Sequence, residues 1–99
     1  MHYFETLFHA KHHRRSGRHS VTVKYDQNGK KDEIIFYHYK EPICFVYPKE
    51  KLFILRDGGY NTSSTHKAIG NYWRYFTSMN YKLSYIEITG KYANRFKLN

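Results

Sequence analysis

The stretch from Leu52 to Phe76 constrains the fold more than any other, because a strand, a sharp turn and a helix follow one another there. Its apolar start, Leu52–Leu55, is typical of a strand, and Gly58-Gly59 can adopt the positive φ angles of a tight reversal. Four residues then follow whose side-chain oxygens can cap the first amides of a helix: Thr62, Ser63, Ser64 and Thr65.

The helix that these caps introduce is amphipathic. Its large apolar residues recur with the spacing i, i+3, i+4, i+7 of one helical face, at Ile69, Tyr72, Trp73 and Phe76. Lys67, Asn71 and Arg74 are expected on the opposite face. We therefore predict a helix over about 64–76 that packs on a sheet.

Five segments have the composition of strands, and the first two are separated by Asn28-Gly29, a strong hairpin signal. Pro42 is expected to interrupt the chain before the third, because proline donates no hydrogen bond to a ladder. Runs of strands without alternating helices predict an α+β fold, with an antiparallel sheet of four to five strands and one principal helix on one face. The predicted strands are 20–25, 33–39, 43–47, 52–56 and 81–88.

The N-terminal residues permit two interpretations. Residues 2–13 fit the apolar stripe of a short helix, and they also fit the alternation of an edge strand. The basic segment 9–19 contains four Lys or Arg residues and four histidines. Such a run cannot bury itself, so we expect a solvated helix end or a mobile loop there.

Length and charge limit the possible functions. The chain has 99 residues, enough for one domain (1–99), and 17 Lys and Arg against 8 Asp and Glu give a net charge of +9. A small basic protein is expected to meet an acidic partner, which is nucleic acid, an anionic membrane surface or an acidic protein. An aromatic content of 19% favours nucleic acid among these.

Cysteine usage and hydropathy indicate the compartment. Cys44 is the only cysteine, so neither an intrachain disulfide nor a cysteine zinc cage is possible. No apolar run approaches the roughly 20 residues of a membrane span, and the N-terminus lacks the apolar core of a signal peptide. We expect a cytoplasmic protein with no membrane partner.

The predicted nucleic-acid site is a set of cations with one amide, drawn from the basic segment, the helix and the basic tail 89–99. Ser64 and Thr65 form a candidate anion-binding turn at the helix N-terminus, with ordinary capping as the alternative. The candidate stacking residues are Tyr60, Tyr75 and Tyr92. The candidate contacts are Lys11, Arg14, Arg15, Arg18, Lys67, Asn71, Arg74, Lys91, Arg95 and Lys97.

Metal binding and catalysis have weaker support. His9, His12 and His13 have helical spacing, but no cysteine lies nearby and adjacent arginines repel a dication, so we expect exposed histidines and no metal. Acid–base pairs of a ribonuclease are conceivable, with His38 beside Tyr37 or His66 beside Glu87, yet no spacing pairs them. We predict a non-enzymatic protein without a cofactor or a small-molecule substrate.

Residues 58–71 read GGYNTSSTHKAIGN, a glycine turn, an aromatic residue and hydroxyl caps that enter a helix. This motif resembles that of small, uncharacterised phage-encoded proteins, and Tyr37–Ile43 resembles their preceding strand. The resemblance covers about 34–73 and departs from the pattern at Ser64 and at His66-Lys67. It implies a phage origin and the cytoplasm of a host cell. As an alternative function, it allows an anti-CRISPR-like inhibitor that binds a host nuclease or nucleoprotein complex.

Overall fold

Six strands and one helix make up the part of the chain that the computed structural model describes, which is residues 14–16, 18–59 and 62–88. The strands form a single sheet in which they lie side by side in chain order. The elements are β1 (Arg14–Ser16), β2 (His19–Tyr25), β3 (Lys31–His38), β4 (Glu41–Tyr47), β5 (Leu52–Arg56), α1 (Ser63–Ser78) and β6 (Lys82–Glu87).

The α+β class and the helix packed on a sheet are confirmed. Strands β1 to β5 form an antiparallel meander, as the short turns between them require. The sheet differs from the expected antiparallel one at its last pair, because β6 runs parallel to β5, with Leu52 opposite Lys82 and Arg56 opposite Glu87. A parallel neighbour needs a crossover, and α1 supplies it by carrying the chain back to the end of the sheet where β5 begins.

The basic segment contains a strand where a solvated helix end or a mobile loop was expected. Arg14 pairs with Val21 and Ser16 with His19, so the backbone of β1 extends the sheet beyond β2. A basic sequence does not prevent such pairing, because a ladder uses backbone groups and because charged residues are common in edge strands. Residues 1–13, for which helix and strand were alternatives, lie outside the described residues.

Pro42 lies inside β4 and does not interrupt the chain as expected. It pairs with Tyr37 at a point where the register between β3 and β4 shifts. Such an irregularity is one of the places where a strand tolerates a proline. The same shift breaks the alternation of β4, so that the adjacent Ile43 and Cys44 are both fully buried.

The core lies between one face of the sheet and α1. Phe36 of β3 contacts Tyr72 and Phe76 of the helix, with ring centroids 4.9 and 5.7 Å apart. Phe76 also contacts Phe53 at 5.6 Å, which brings β5 into the same cluster. The predicted apolar face of α1 is therefore buried, although Trp73 is only partly covered.

Helix α1 begins as its cap residues predict. The Thr62 side chain accepts a hydrogen bond from the Thr65 amide at 3.2 Å, and its backbone carbonyl accepts one from the His66 amide. The helix has 16 residues and one solvated side. Within the described ranges, no helix is therefore long and apolar enough to cross a membrane.

Candidate nucleic-acid interface

A cavity of about 610 Å³ opens where the turn between β3 and β4 meets the start of α1. We call it the α1 cleft; its described lining is Arg18, residues 38–41, Thr62, Ser64 and Thr65. Three separate parts of the chain converge there because the start of β2 lies next to the end of β3 and the Gly58-Gly59 turn brings the helix back towards them. Both glycines adopt positive φ, at +63° and +85°.

Cations from three elements surround this cleft. Arg18 and Lys40 line it, and Lys67 lines an adjoining groove of about 190 Å³ that shares Arg18, His38 and Ser64 with it. All three cations are exposed. None of them has a carboxylate of the described chain within ion-pair distance, whereas Arg56 is paired with Glu87 at 3.1 Å. Arg18, Lys40 and Lys67 are thus available to an anionic ligand.

Cations also lie at the opposite end of the sheet, so the positive charge does not gather at the cleft alone. Lys49 contacts Asp26 there and lies 3.5 Å from Asp32. Lys24 and Lys82 are exposed at the same end. What distinguishes the cleft is therefore its concave shape and its helix terminus, and not a surplus of charge.

The start of α1 adds hydrogen-bond donors to the cleft. The first amides of a helix lack intrahelical acceptors, and the partial positive charge there attracts anions. Thr62 caps the Thr65 amide, and its hydroxyl donates to the Thr65 hydroxyl at 3.0 Å. The predicted role of Thr65 in anion binding thus competes with capping, since the residue is buried. Ser64 is exposed in the same turn.

His38 connects the wall of the cleft to the helix. It is 95% buried, and its Nε2 lies 3.0 Å from Ser64 Oγ. Its Nδ1 is buried with no hydrogen-bond partner in the described part of the chain. Burial first, and then the charge of Arg18, lower the pKa of His38. The imidazole is therefore held in its neutral form near neutral pH.

His19 lies behind His38, with ring centroids 5.2 Å apart. Burial, followed by the charges of His38 and Arg18, lowers the pKa of His19 to about 4. Neither histidine is a cation at neutral pH. The charge that the cleft offers a ligand consequently comes from Arg18, Lys40 and Lys67, opposed by the carboxylate of Glu41.

Glu41 lies in the cleft beside the glycine turn. Its side chain covers Gly58 so closely that a Cβ on this glycine would overlap it. Both glycines have positive φ, which disfavours any residue with a Cβ. A side chain at Gly58 would in addition displace the flexible end of the Glu41 side chain. The position of Glu41 ties the β3–β4 turn to the residues that lead into α1.

Asp57 holds the other side of this turn. Its Oδ1 accepts a hydrogen bond from the Gly59 amide at 2.9 Å, and its own amide donates to the Glu87 carbonyl. Its Oδ2 lies 3.6 Å from Nε2 of His66, and both side chains are fully buried. His66 therefore lies beside Asp57, and its expected acid–base pairing with Glu87 is not seen within the described residues.

The second such pairing is also not formed. Tyr37 and His38 are adjacent in β3, so their side chains point to opposite faces of the sheet. The hydroxyl of Tyr37 lies 3.3 Å from Thr22 Oγ1, while His38 bonds to Ser64. The two histidines are buried, and their partners are Ser64 and Asp57, which no spacing rule in the sequence pairs with them.

The predicted contact residues are only partly brought together. Arg18, Lys67 and Ser64 meet around the cleft, and Arg74 is exposed farther along α1. Asn71 was expected to face outwards, and this prediction is wrong. The residue is only 9% exposed, because it lies one turn after the buried Ala68 on the same side of the helix. Its Oδ1 accepts a hydrogen bond from Arg74.

Other predicted residues do not take part in this geometry. Tyr75 packs edge-on against Phe76, with centroids 5.1 Å apart, and lies away from the cleft. Arg14 and Arg15 belong to the edge strand β1. Lys11, Tyr60, Lys91, Tyr92, Arg95 and Lys97 lie outside the described residues, as do His9, His12, His13 and the tail 89–99.

Sequence reasoning missed Tyr39 and Lys40. Tyr39 was expected to end the predicted strand 33–39, and Lys40 to begin the interruption that includes Pro42. The two residues instead form the turn at the mouth of the cleft. Tyr39 is 61% exposed. The sequence signal that could have identified them is a basic residue next to an aromatic one between two strands.

Comparisons with protein-family models, with curated proteins and with solved structures found no match to this chain.

Proposed function

We propose that this protein binds nucleic acid through the α1 cleft and the cations around it. The observation that carries the proposal is a cavity of about 610 Å³ at a helix N-terminus with Arg18 and Lys40 in its wall. Phosphate oxygens are well matched to such a site, because arginine, lysine and helix amides are their usual partners. Lys67 extends the same positive surface along the adjoining groove.

The distribution of charge indicates how a polyanion would lie. Arg18 comes from the β1–β2 turn, Lys40 from the β3–β4 turn and Lys67 from α1, so a phosphate backbone that crosses the cleft meets all three. Binding through these groups releases counterions and weakens steeply with added salt. Glu41 opposes the ligand from within the cleft, which limits the affinity for a single phosphate.

Fluorescence anisotropy with labelled oligonucleotides of about 16 nucleotides tests this proposal. We expect binding at about 50 mM salt that weakens strongly by about 200 mM. The double variant Arg18→Glu/Lys67→Glu should bind roughly tenfold more weakly or worse, with a smaller salt slope. The matched control is Lys24→Glu/Lys82→Glu, which makes the same charge change at the opposite end of the sheet. Equal losses in the two double variants would contradict a role for the cleft.

A phosphodiester-cleaving activity is the second candidate, because His38 is a neutral imidazole in the wall of the same cleft. A neutral imidazole is the form that accepts a proton in general base catalysis. The same oligonucleotides are therefore analysed on denaturing gels after incubation. Intact strands support a binding protein. Cleavage that is lost in His38→Ala and kept in His66→Ala would instead indicate that the protein is a ribonuclease.

A further inference from the structure

Tyr39 combines three properties that no other described residue combines. It is the most exposed large hydrophobic residue of the described chain, at 61% against 49% for Tyr85. It lines the α1 cleft. Its φ is +59°, in the left-handed region that disfavours a residue with a Cβ. Lys51 and Asn80 share this backbone conformation, but neither carries an exposed ring.

The ring of Tyr39 is held in place although most of it faces solvent. The edge of the His38 ring packs against it at 4.8 Å, with an interplanar angle of 71°. The guanidinium of Arg18 lies 5.9 Å from its centroid. The Tyr39 amide donates to the Arg18 carbonyl at 2.7 Å, which fixes the turn. An exposed aromatic ring that is fixed in this way loses little conformational freedom when a flat ligand stacks on it.

From this arrangement we propose that the α1 cleft binds an unpaired nucleotide of a single-stranded nucleic acid, with its base stacked on Tyr39 and its phosphate beside Arg18 and Lys40. This inference rests on the proposed function and names its substrate class. The reason is steric. In a duplex the bases are stacked inside, so a concave site with an aromatic ring at its mouth reaches a base only where the strand is unpaired.

The size of the cleft agrees with this ligand. A volume of about 610 Å³ lies within the range of sites that hold one small molecule, a class to which a single nucleotide belongs. Base stacking is tolerant of sequence, because every base presents a flat face. The site is therefore expected to show little base preference. Deoxyribose and ribose strands share the recognised groups, and both are included in the test.

The test compares single strands and duplexes of the same sequence, in deoxyribose and ribose forms, by anisotropy. We expect the single strands to bind at least about tenfold more tightly than the duplex. Tyr39→Leu should weaken single-strand binding about five- to hundredfold, whereas Tyr39→Phe should stay within about twofold, since it keeps the ring. Tyr85→Leu removes an exposed ring from β6 and is the matched control, with no expected change.

A second measurement does not depend on any variant. A single strand that carries a fluorescent adenine analogue should lose emission on binding the unmodified protein, because stacking on an aromatic ring quenches such bases. Equal affinity for single strands and duplexes, with no quenching and no effect of Tyr39→Leu, would overturn this inference. The proposed function would stand in that case if Arg18→Glu/Lys67→Glu still weakened binding. Absence of any binding at low salt would remove both.

Discussion

Nε2 of His38 lies 3.0 Å from Oγ of Ser64, so a single hydrogen bond connects the end of β3 to the first turn of α1. This contact spans two elements that are far apart in the chain and closes the back of the cleft. Since the His38 side chain is 95% buried, the bond also satisfies a polar atom of a largely buried ring.

Ser64→Ala is expected to lower the free energy of unfolding by about 1–3 kcal/mol, because it leaves a buried imidazole nitrogen without its partner. Urea denaturation followed by circular dichroism measures the change. Ser63→Ala is the control, since Ser63 is an exposed serine in the same turn and gains the same helix propensity. If the two variants proved equally stable, the buried bond would contribute nothing.

Stability is expected to fall as the pH drops from about 6.5 to about 4. The pKa of His19 is lowered from 6.5 to about 4 in the folded protein, so in this interval the unfolded chain takes up a proton that the folded chain does not. The lowered pKa of His38 acts in the same direction. Below about pH 4 the folded and the unfolded chain both bind this proton, so the loss of stability that His19 causes is complete.

Urea titrations at a series of pH values measure this dependence, and His19→Gln should flatten it. The pKa of Asp26 is lowered from 3.8 to about 2, chiefly by its hydrogen bond with Lys49, so its own contribution is lost at more acid pH. The two effects are separable for this reason. A slope between pH 6.5 and 4 that is unchanged in His19→Gln would contradict the assignment.

Gly58→Ala should destabilise the protein more than Gly59→Ala. Both substitutions force a left-handed backbone on a residue with a Cβ, which costs about 1–2 kcal/mol. Only at Gly58 does the new Cβ also overlap the Glu41 side chain, while the space around Gly59 is open. Thermal denaturation ranks the two variants. The double variant Gly58→Ala/Glu41→Ala should recover the additional loss, and failure to recover it would place the strain elsewhere.

Glu41→Gln should increase the affinity for a polyanion. The substitution keeps the shape of the side chain that covers Gly58 and removes the negative charge that opposes a phosphate in the cleft. Removing a screened, partly exposed charge of this kind is expected to increase the affinity for the polyanion about two- to fivefold. Anisotropy at low salt measures it, with Glu50→Gln at the opposite end of the sheet as control. A loss of affinity in Glu41→Gln would indicate that the carboxylate accepts a hydrogen bond from the ligand.

The helix and the meander were predictable because their signals are local. Asn28-Gly29 specifies a hairpin, and the recurrence from Ile69 to Phe76 specifies a helical face. The parallel pairing of β5 with β6 was missed because the alternation of β6 gives the side chains that face the core and not the strand's partner. The predicted helix between these two strands was the available signal, since such a helix is the usual crossover of a parallel pair. The strand β1 was missed because a run of basic residues is typical of a solvated segment, whereas the pairing of β1 uses only backbone groups.

The candidate site was predictable in its parts and not as a whole. Arg18, Lys67 and Ser64 were identified from their charge or their cap position, yet nothing local places them around one cavity. Tyr39 was hidden because a tyrosine in the left-handed region breaks the usual preference for glycine or asparagine there. Asn71 was placed on the wrong side because a polar residue at the border of a helical face follows its tertiary neighbours.

The parallel β6 has a consequence for how this chain folds. Strands β2 to β5 join their neighbours across short turns, so each pairing closes a small loop. Strand β6 is separated from β5 in the chain by the whole of α1, so this pairing closes a much longer loop. We therefore expect β6 to be the last of strands β2 to β6 to acquire amide protection during refolding, and the first to lose it when the native protein opens locally.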